Sequence, residues 1–163
     1  MRILVVALAL VLWVAFGLEE AIAQNPSDKE SRENLDLQER CGTQAEKVFK
    51  QWKSEDEQEA KRLNLPALNT VSSDYQSHYN ATLSRCFMTM LATMGNGSTN
   101  KWLVDAYENR LYAFYLWMPD PKRVKKYWEM RPISCELTPS VREKRLCSSE
   151  DEYDTFVAAY MDH

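Results

Sequence analysis

Between Asn34 and Lys53 apolar side chains return every three or four positions: Leu37, Cys41, Ala45, Val48 and Trp52. That spacing draws one stripe along an α-helix and predicts an amphipathic element that must dock on something. Asn34 or Asp36 can cap its start, and Glu46 with Lys50 forms a supporting i,i+4 pair. Gly42 lowers helix propensity but stands beside Cys41, where another element could approach closely. Ser54 to Arg62 is strongly charged and reads as a frayed extension or a surface loop, and Leu63 to Ser73, with Pro66, as a connection.

The period changes between Trp102 and Met118. This stretch reads as two strands joined at Glu108-Asn109-Arg110, where Asn109 best tolerates the left-handed backbone that tight hairpins need. In its second strand Leu111, Ala113, Tyr115 and Trp117 alternate with Tyr112, Phe114, Leu116 and Met118, so strict alternation makes both faces apolar. Such a strand is either covered on both sides or keeps one side for a partner. The N-terminal helix is expected to cover one face, leaving the other to a short C-terminal helix and loops. Tyr112, Phe114, Tyr115 and Trp117 are therefore the candidates for a ligand or partner surface.

Pro119-Asp120-Pro121 ends that strand, because proline cannot donate to a ladder. Tyr127 to Leu137 can hold one more short strand, ending at Cys135. Ser148 or Ser149 then caps a last helix, with Asp151 or Glu152 completing a capping box, and Tyr153, Phe156, Val157 and Tyr160 give it a core face. Asp74 to Met94 is ambiguous. Tyr75, Tyr79, Leu83, Phe87, Leu91 and Met94 fit a helical stripe, with Ser73 as cap and Gly95 as stop. The same residues also read as a strand from Tyr75 to Tyr79, a loop, and a return strand from Arg85 to Thr93.

Composition adds a compartment. Arg2 precedes the apolar run Ile3 to Leu18, and Ala21-Ile22-Ala23 offers a small-residue cleavage site. The run is shorter than the roughly 20 residues of a membrane-spanning helix. The expectation is a signal peptide over residues 1–23, a disordered lead-in over 24–33, and a single domain over 34–163. No stable membrane anchor would remain after cleavage. The net charge of −4 gives no basic excess for nucleic acid. The run Lys122-Arg123-Val124-Lys125-Lys126 reads as a solvated connection.

The four cysteines suit an exported domain with two disulfides, for which three pairings exist. Cys41–Cys86 with Cys135–Cys147 is favoured, since the first staples the N-terminal helix to the sheet and the second closes a short loop. Metal-type cysteine spacing is absent and only His78 and His163 could add imidazole, so no metal and no cofactor are expected. Met88, Met90 and Met94 near Phe87 could suggest a soft-metal surface, but core filling is the commoner reason for such a group.

Several short segments carry a resemblance. His78-Tyr79-Asn80, Arg85-Cys86-Phe87, Asp105-Ala106-Tyr107-Glu108 and Ala113-Phe114-Tyr115 are followed by Cys147-Ser148-Ser149 through Phe156 and by Tyr160-Met161. Together, over roughly Cys41 to Met161, they resemble a pattern in uncharacterised exported bacterial proteins. The resemblance implies that the His-Tyr-Asn and Cys-Phe pieces are paired strands. It also implies a bacterial periplasm, where the glycosylation patterns Asn80-Ala81-Thr82 and Asn96-Gly97-Ser98 would be chance matches.

The chemistry on offer is sparse. His78 could act with Asp105, or with Asp74 or Glu108, as an acid–base pair if the strands bring them together. The plainer reading packs His78 between tyrosines and gives Asp105 a structural partner such as Arg85 or Arg110. There is no serine elbow, phosphate loop or histidine cluster. The sequence thus points to an α+β fold: an N-terminal amphipathic helix on an antiparallel sheet of four or five strands, with a C-terminal helix. The expected function is that of an exported, non-catalytic binding protein, secreted to the periplasm or beyond. Its target would be a protein or a small apolar ligand, with homodimer formation a further outcome. The rival is a small periplasmic hydrolase-like enzyme using His78 and Asp105.

Overall fold

Proline at a helix start costs nothing, because its fixed φ suits the first turn and the missing N–H has no partner there anyway. In the computed structural model, which describes residues 26–64, 69–120, 122 and 130–162, helix α1 accordingly begins at Pro26 and runs to Leu63. It starts ahead of the Asn34 that the apolar stripe indicates, so the described part of the expected lead-in is helical. It also continues through the charged stretch after Lys53. Lys61 and Arg62 sit in its last turn, where the helix dipole favours cations, and Asn64 leaves it in the left-handed conformation, φ 51°. The expected signal peptide, residues 1–23, lies outside the described residues.

Residues 33–163 form one compact unit. After α1 come β1 (Thr70–Asn80), β2 (Arg85–Met94), β3 (Thr99–Asp105), β4 (Arg110–Trp117), β5 (Ser134–Ser140), β6 (Glu143–Leu146) and helix α2 (Glu150–Met161). The strands make a six-stranded antiparallel sheet in sequence order. The fold is α+β, with α1 packed on the sheet. The sheet exceeds the expected four or five strands because β6, Glu-Lys-Arg-Leu, is exposed throughout and has no apolar alternation to reveal it.

The segment from Asp74 to Met94 is a strand pair. Its turn is built by Asn80, whose buried side chain accepts the Leu83 N–H at 2.9 Å and donates to the Tyr160 carbonyl at 3.2 Å. Ser84 completes the turn in the left-handed region. Both ends of its amide are thereby engaged within the fold. At the β3–β4 turn Asn109 has φ 50°, the conformation expected of it.

One register shift changes the pattern of faces. Leu103 pairs with Ala113 but Val104 pairs with Leu111, so Tyr112 is the extra residue of a bulge. Tyr112 therefore joins Ala113 and Tyr115 in one core, while Leu111, opposite Val104, belongs to the other side. The strict alternation expected for β4 holds only from Ala113 onward.

Each face of the sheet has its own core. On the α1 side Cys41 and Ala45 meet Cys86, Met88, Met90 and Val104, with Phe49, Trp52, Tyr75 and Trp102 packed around them. On the α2 side Tyr153 and Phe156 meet Phe87, Leu103, Tyr112, Tyr115 and Leu137. Met88 and Met90 are thus core residues. The disulfides are Cys41–Cys86, from α1 to β2, and Cys135–Cys147, from β5 to the approach to α2. Ser149 caps α2 by accepting the Glu152 N–H at 3.2 Å, and Glu152 reaches back to the Ser148 N–H at 3.0 Å. Among the described residues no helix is long and apolar enough to cross a membrane.

Candidate functional site

The acid–base pair suggested by the sequence can be judged from strand register. His78 lies opposite Phe87, and Phe87 lies opposite Asp105. The two residues share a face, but with a strand and a phenylalanine between them. Two strand spacings put their Cα atoms roughly 10 Å apart. Asp105 is also fully engaged. It is 2 % exposed, accepts Arg85 Nη1 at 2.9 Å, and accepts the N–H groups of Tyr107 and Glu108 at 2.9 and 3.0 Å. Arg85 meets Glu108 as well, at 2.6 Å. Hydrogen bonds to Glu108 and then Asp105 hold the guanidinium above its usual range of protonation. The carboxylate is committed to a guanidinium and two turn amides, and this cluster organises the β3–β4 turn.

The four aromatic candidates on β4 separate into two pairs. Tyr112 and Tyr115 are 5 % and 2 % exposed, packed against Phe87, Tyr160 and Tyr153 on the α2 side. They offer no surface to a partner. Trp117 is half-buried on that same core, and Phe114 is half-buried on the other face, its ring 5.9 Å from Trp102. The short helix α2 covers its side of β4 effectively because it brings Tyr153, Phe156 and Tyr160 to the middle of the sheet.

The face left open lies on the side of the long helix. Helix α1 follows β1–β3: Gln38 bonds to Ser77 and Tyr79, Cys41 to Cys86, Phe49 stacks near Tyr75, and Trp52 meets Trp102. Among the described residues no helix lies over the same face of β4–β6. There Leu111 is 44 % exposed, Phe114 and Leu116 are half-buried, and Leu146 at the edge is 75 % exposed. Glu136, opposite both Phe114 and Leu146, pairs with Lys144 at 2.7 Å. Ile133, largely exposed, bonds through its N–H to the Leu116 carbonyl at 2.8 Å.

Large apolar side chains around one ion pair, on a rigid sheet, are the composition of a protein-binding surface rather than of a reaction centre. Phe114 is the one sequence-stated candidate on this face. Leu116 shares Phe114's side by the expected alternation, whereas Leu111 joins it only through the bulge at Tyr112 and Leu146 lies on a strand that carries no apolar pattern. Comparison of the chain with protein-family models, with curated proteins and with solved structures returns no match.

Proposed function

We propose that this is an exported, non-catalytic interaction protein that binds a protein partner through the α1-side face of β4–β6. The observation that supports the reading is the uneven cover of the sheet. The stretch of α1 from Gln38 to Asp56 rests on β1–β3 and leaves Leu111, Phe114, Leu116 and Leu146 on the neighbouring strands without it. The outer strand β6 is short and charged, a pattern that discourages pairing at the edge, so the face itself is the contact. Two disulfides suit a chain that folds in an oxidising compartment, and a periplasmic or extracellular site of action is part of the proposal. The hydrolase reading is not favoured, since Asp105 is committed to Arg85 and the turn.

The test places a photo-crosslinking amino acid at Leu146, and separately at exposed Asp151 on α2, in cells that express the full chain. The proposal expects a discrete adduct with another protein from position 146 alone. An adduct at twice the chain's mass would show self-association in its place. Identical products from both positions, or none, would reject the surface.

A further inference from the structure

Where the end of α2 meets the start of β4, aromatic rings form a chain with an arginine at each end. The Tyr112 ring lies 5.4 Å from that of Tyr160, which lies 5.0 Å from that of Phe156. Arg110 stands 4.4 Å over Tyr112, and Arg145 stands 5.7 Å over Phe156. Arg145 reaches this side of the sheet because it is opposite Leu137, a residue of the α2-side core. The cluster is on the opposite side of the sheet from the partner surface proposed above.

The positive charges here are unmatched. Neither Arg110 nor Arg145 has an ion-pair partner among the described residues. Arg85 lies near the Tyr112 hydroxyl too, but Asp105 and Glu108 hold it at 2.9 and 2.6 Å. The Tyr160 hydroxyl is raised above its ordinary pKa by burial first and by Tyr112 next, while Arg110 and Arg145 pull it down and Glu143 pushes it up. These four groups therefore surround that hydroxyl, and two guanidiniums face one carboxylate. The carbonyl end of α2 is engaged elsewhere: Tyr160 accepts Asn80 Nδ2 at 3.2 Å, and Ala158 accepts the Asp162 N–H at 3.0 Å.

A second observation is independent of the arginines. Tyr112 is 5 % exposed and its ring gives a partner no surface, yet its hydroxyl neither bonds another described residue nor is sealed from solvent. A deeply buried side chain thus presents one polar atom outward, beside the half-buried Tyr160, whose hydroxyl also bonds no described residue. Polar groups on buried side chains are normally satisfied, and here fixed donors converge with no protein acceptor bonded to them.

We infer that this cluster binds a phosphoryl group, with the guanidiniums of Arg110 and Arg145 and the hydroxyls of Tyr112 and Tyr160 as its donors. A phosphate monoester carries about two negative charges at neutral pH and three acceptor oxygens, which suits two cations and two hydroxyls. A carboxylate, with one charge and two oxygens, suits them less well. A soluble phosphate ester and a phospholipid headgroup both present this chemistry.

The experiment titrates the isotopically labelled full chain with inorganic phosphate, methyl phosphate and acetate at constant ionic strength, following the side-chain Nε–H resonances of Arg110 and Arg145. Saturable shifts are expected with both phosphates and much weaker ones with acetate. Arg145→Gln should weaken phosphate binding about tenfold, the loss expected for a charge-assisted hydrogen bond. Glu143→Gln should tighten it severalfold, and Tyr112→Phe should weaken it. Arg145 and Glu143 are both exposed, and unchanged resonances of Met88 in the other core would show that each variant is folded. Co-sedimentation with vesicles of phosphatidic acid in phosphatidylcholine separates the sources. Vesicle binding that methyl phosphate displaces assigns the site to a lipid headgroup, and phosphate binding without vesicle binding assigns it to a soluble ester. Equal shifts from acetate and phosphate, shifts that stay linear without saturation, or an affinity that neither Arg145→Gln nor Glu143→Gln changes would overturn the inference.

Discussion

The side chain of Gln38 pairs with the backbone at Tyr79 as a neighbouring strand would. Its carbonyl accepts the Tyr79 N–H at 2.7 Å and its amide donates to the Ser77 carbonyl at 3.3 Å. The outer edge of β1 is thereby closed where it passes α1, one helical turn from the disulfide Cys41–Cys86. Edge strands with free backbone groups invite pairing with other chains, and this contact removes that hazard over part of β1. Gln38→Ala should cost about 1–2 kcal/mol, the net worth of two such bonds. The local consequence is faster hydrogen exchange at the Tyr79 amide, measurable by NMR. An unchanged exchange rate would show that the clamp does not persist in solution.

Asp105 is the more sensitive residue. Asp105→Ala leaves two turn amides without their acceptor and Arg85 with Glu108 alone, and should destabilise the protein by about 2–4 kcal/mol in denaturant unfolding. Asp105→Asn keeps an acceptor oxygen for the turn and should cost clearly less. Equal losses for the two variants would mean that the charge, rather than the turn, is what the site requires.

The disulfides close loops of different length, with sequence separations of 45 and 12. Loop-closure entropy then predicts losses of about 4 kcal/mol for the paired change of Cys41 and Cys86 to Ser, and about 3 kcal/mol for Cys135 and Cys147. Thermal unfolding of each double variant checks the order. The reverse order would point to packing at the β5–α2 bridge as the larger contribution.

Alkaline pH should loosen α2. Burial raises the Tyr153 hydroxyl well above its ordinary 10.0, so the folded state holds the neutral form. For Lys101 burial pulls the ammonium down, but hydrogen bonds to Glu150 and Asp154 outweigh it and leave the pKa above its ordinary 10.5. Both folded values exceed the unfolded ones. Their contribution is therefore complete below about pH 10 and is lost as the pH rises through the folded values. Near-ultraviolet circular dichroism should fall in that range, and Tyr153→Phe should move the fall to higher pH. An unmoved midpoint would remove Tyr153 from the account.

Local chemistry made much of this fold legible in advance. The stripe from Leu37 to Trp52, the left-handed Asn109 and the capping residues of α2 each follow from short-range rules. Asp74 to Met94 is ambiguous by periodicity because Tyr75, Tyr79, Phe87 and Leu91 satisfy both helical and strand readings. The register with β3 settles it, and register is a long-range property. The open face was harder to see. One bulged residue exchanges the sides expected of Leu111 and Tyr112, and the extent of cover depends on where α1 lies rather than on its length. The cluster at the end of α2 brings Arg145 and Tyr160 to Arg110 and Tyr112 from distant parts of the chain, and no spacing in the sequence connects them.

The central claim is that the α1-side face of β4–β6 serves a partner and not the fold. Leu111→Glu combined with Leu146→Glu tests it directly, read by thermal unfolding and by crosslinking from Leu116 on the same face. The account predicts an unfolding midpoint within a few degrees of the parent, as for changes at exposed positions, together with loss of the partner adduct. A large fall in the midpoint, or an adduct that survives both charges, would contradict it.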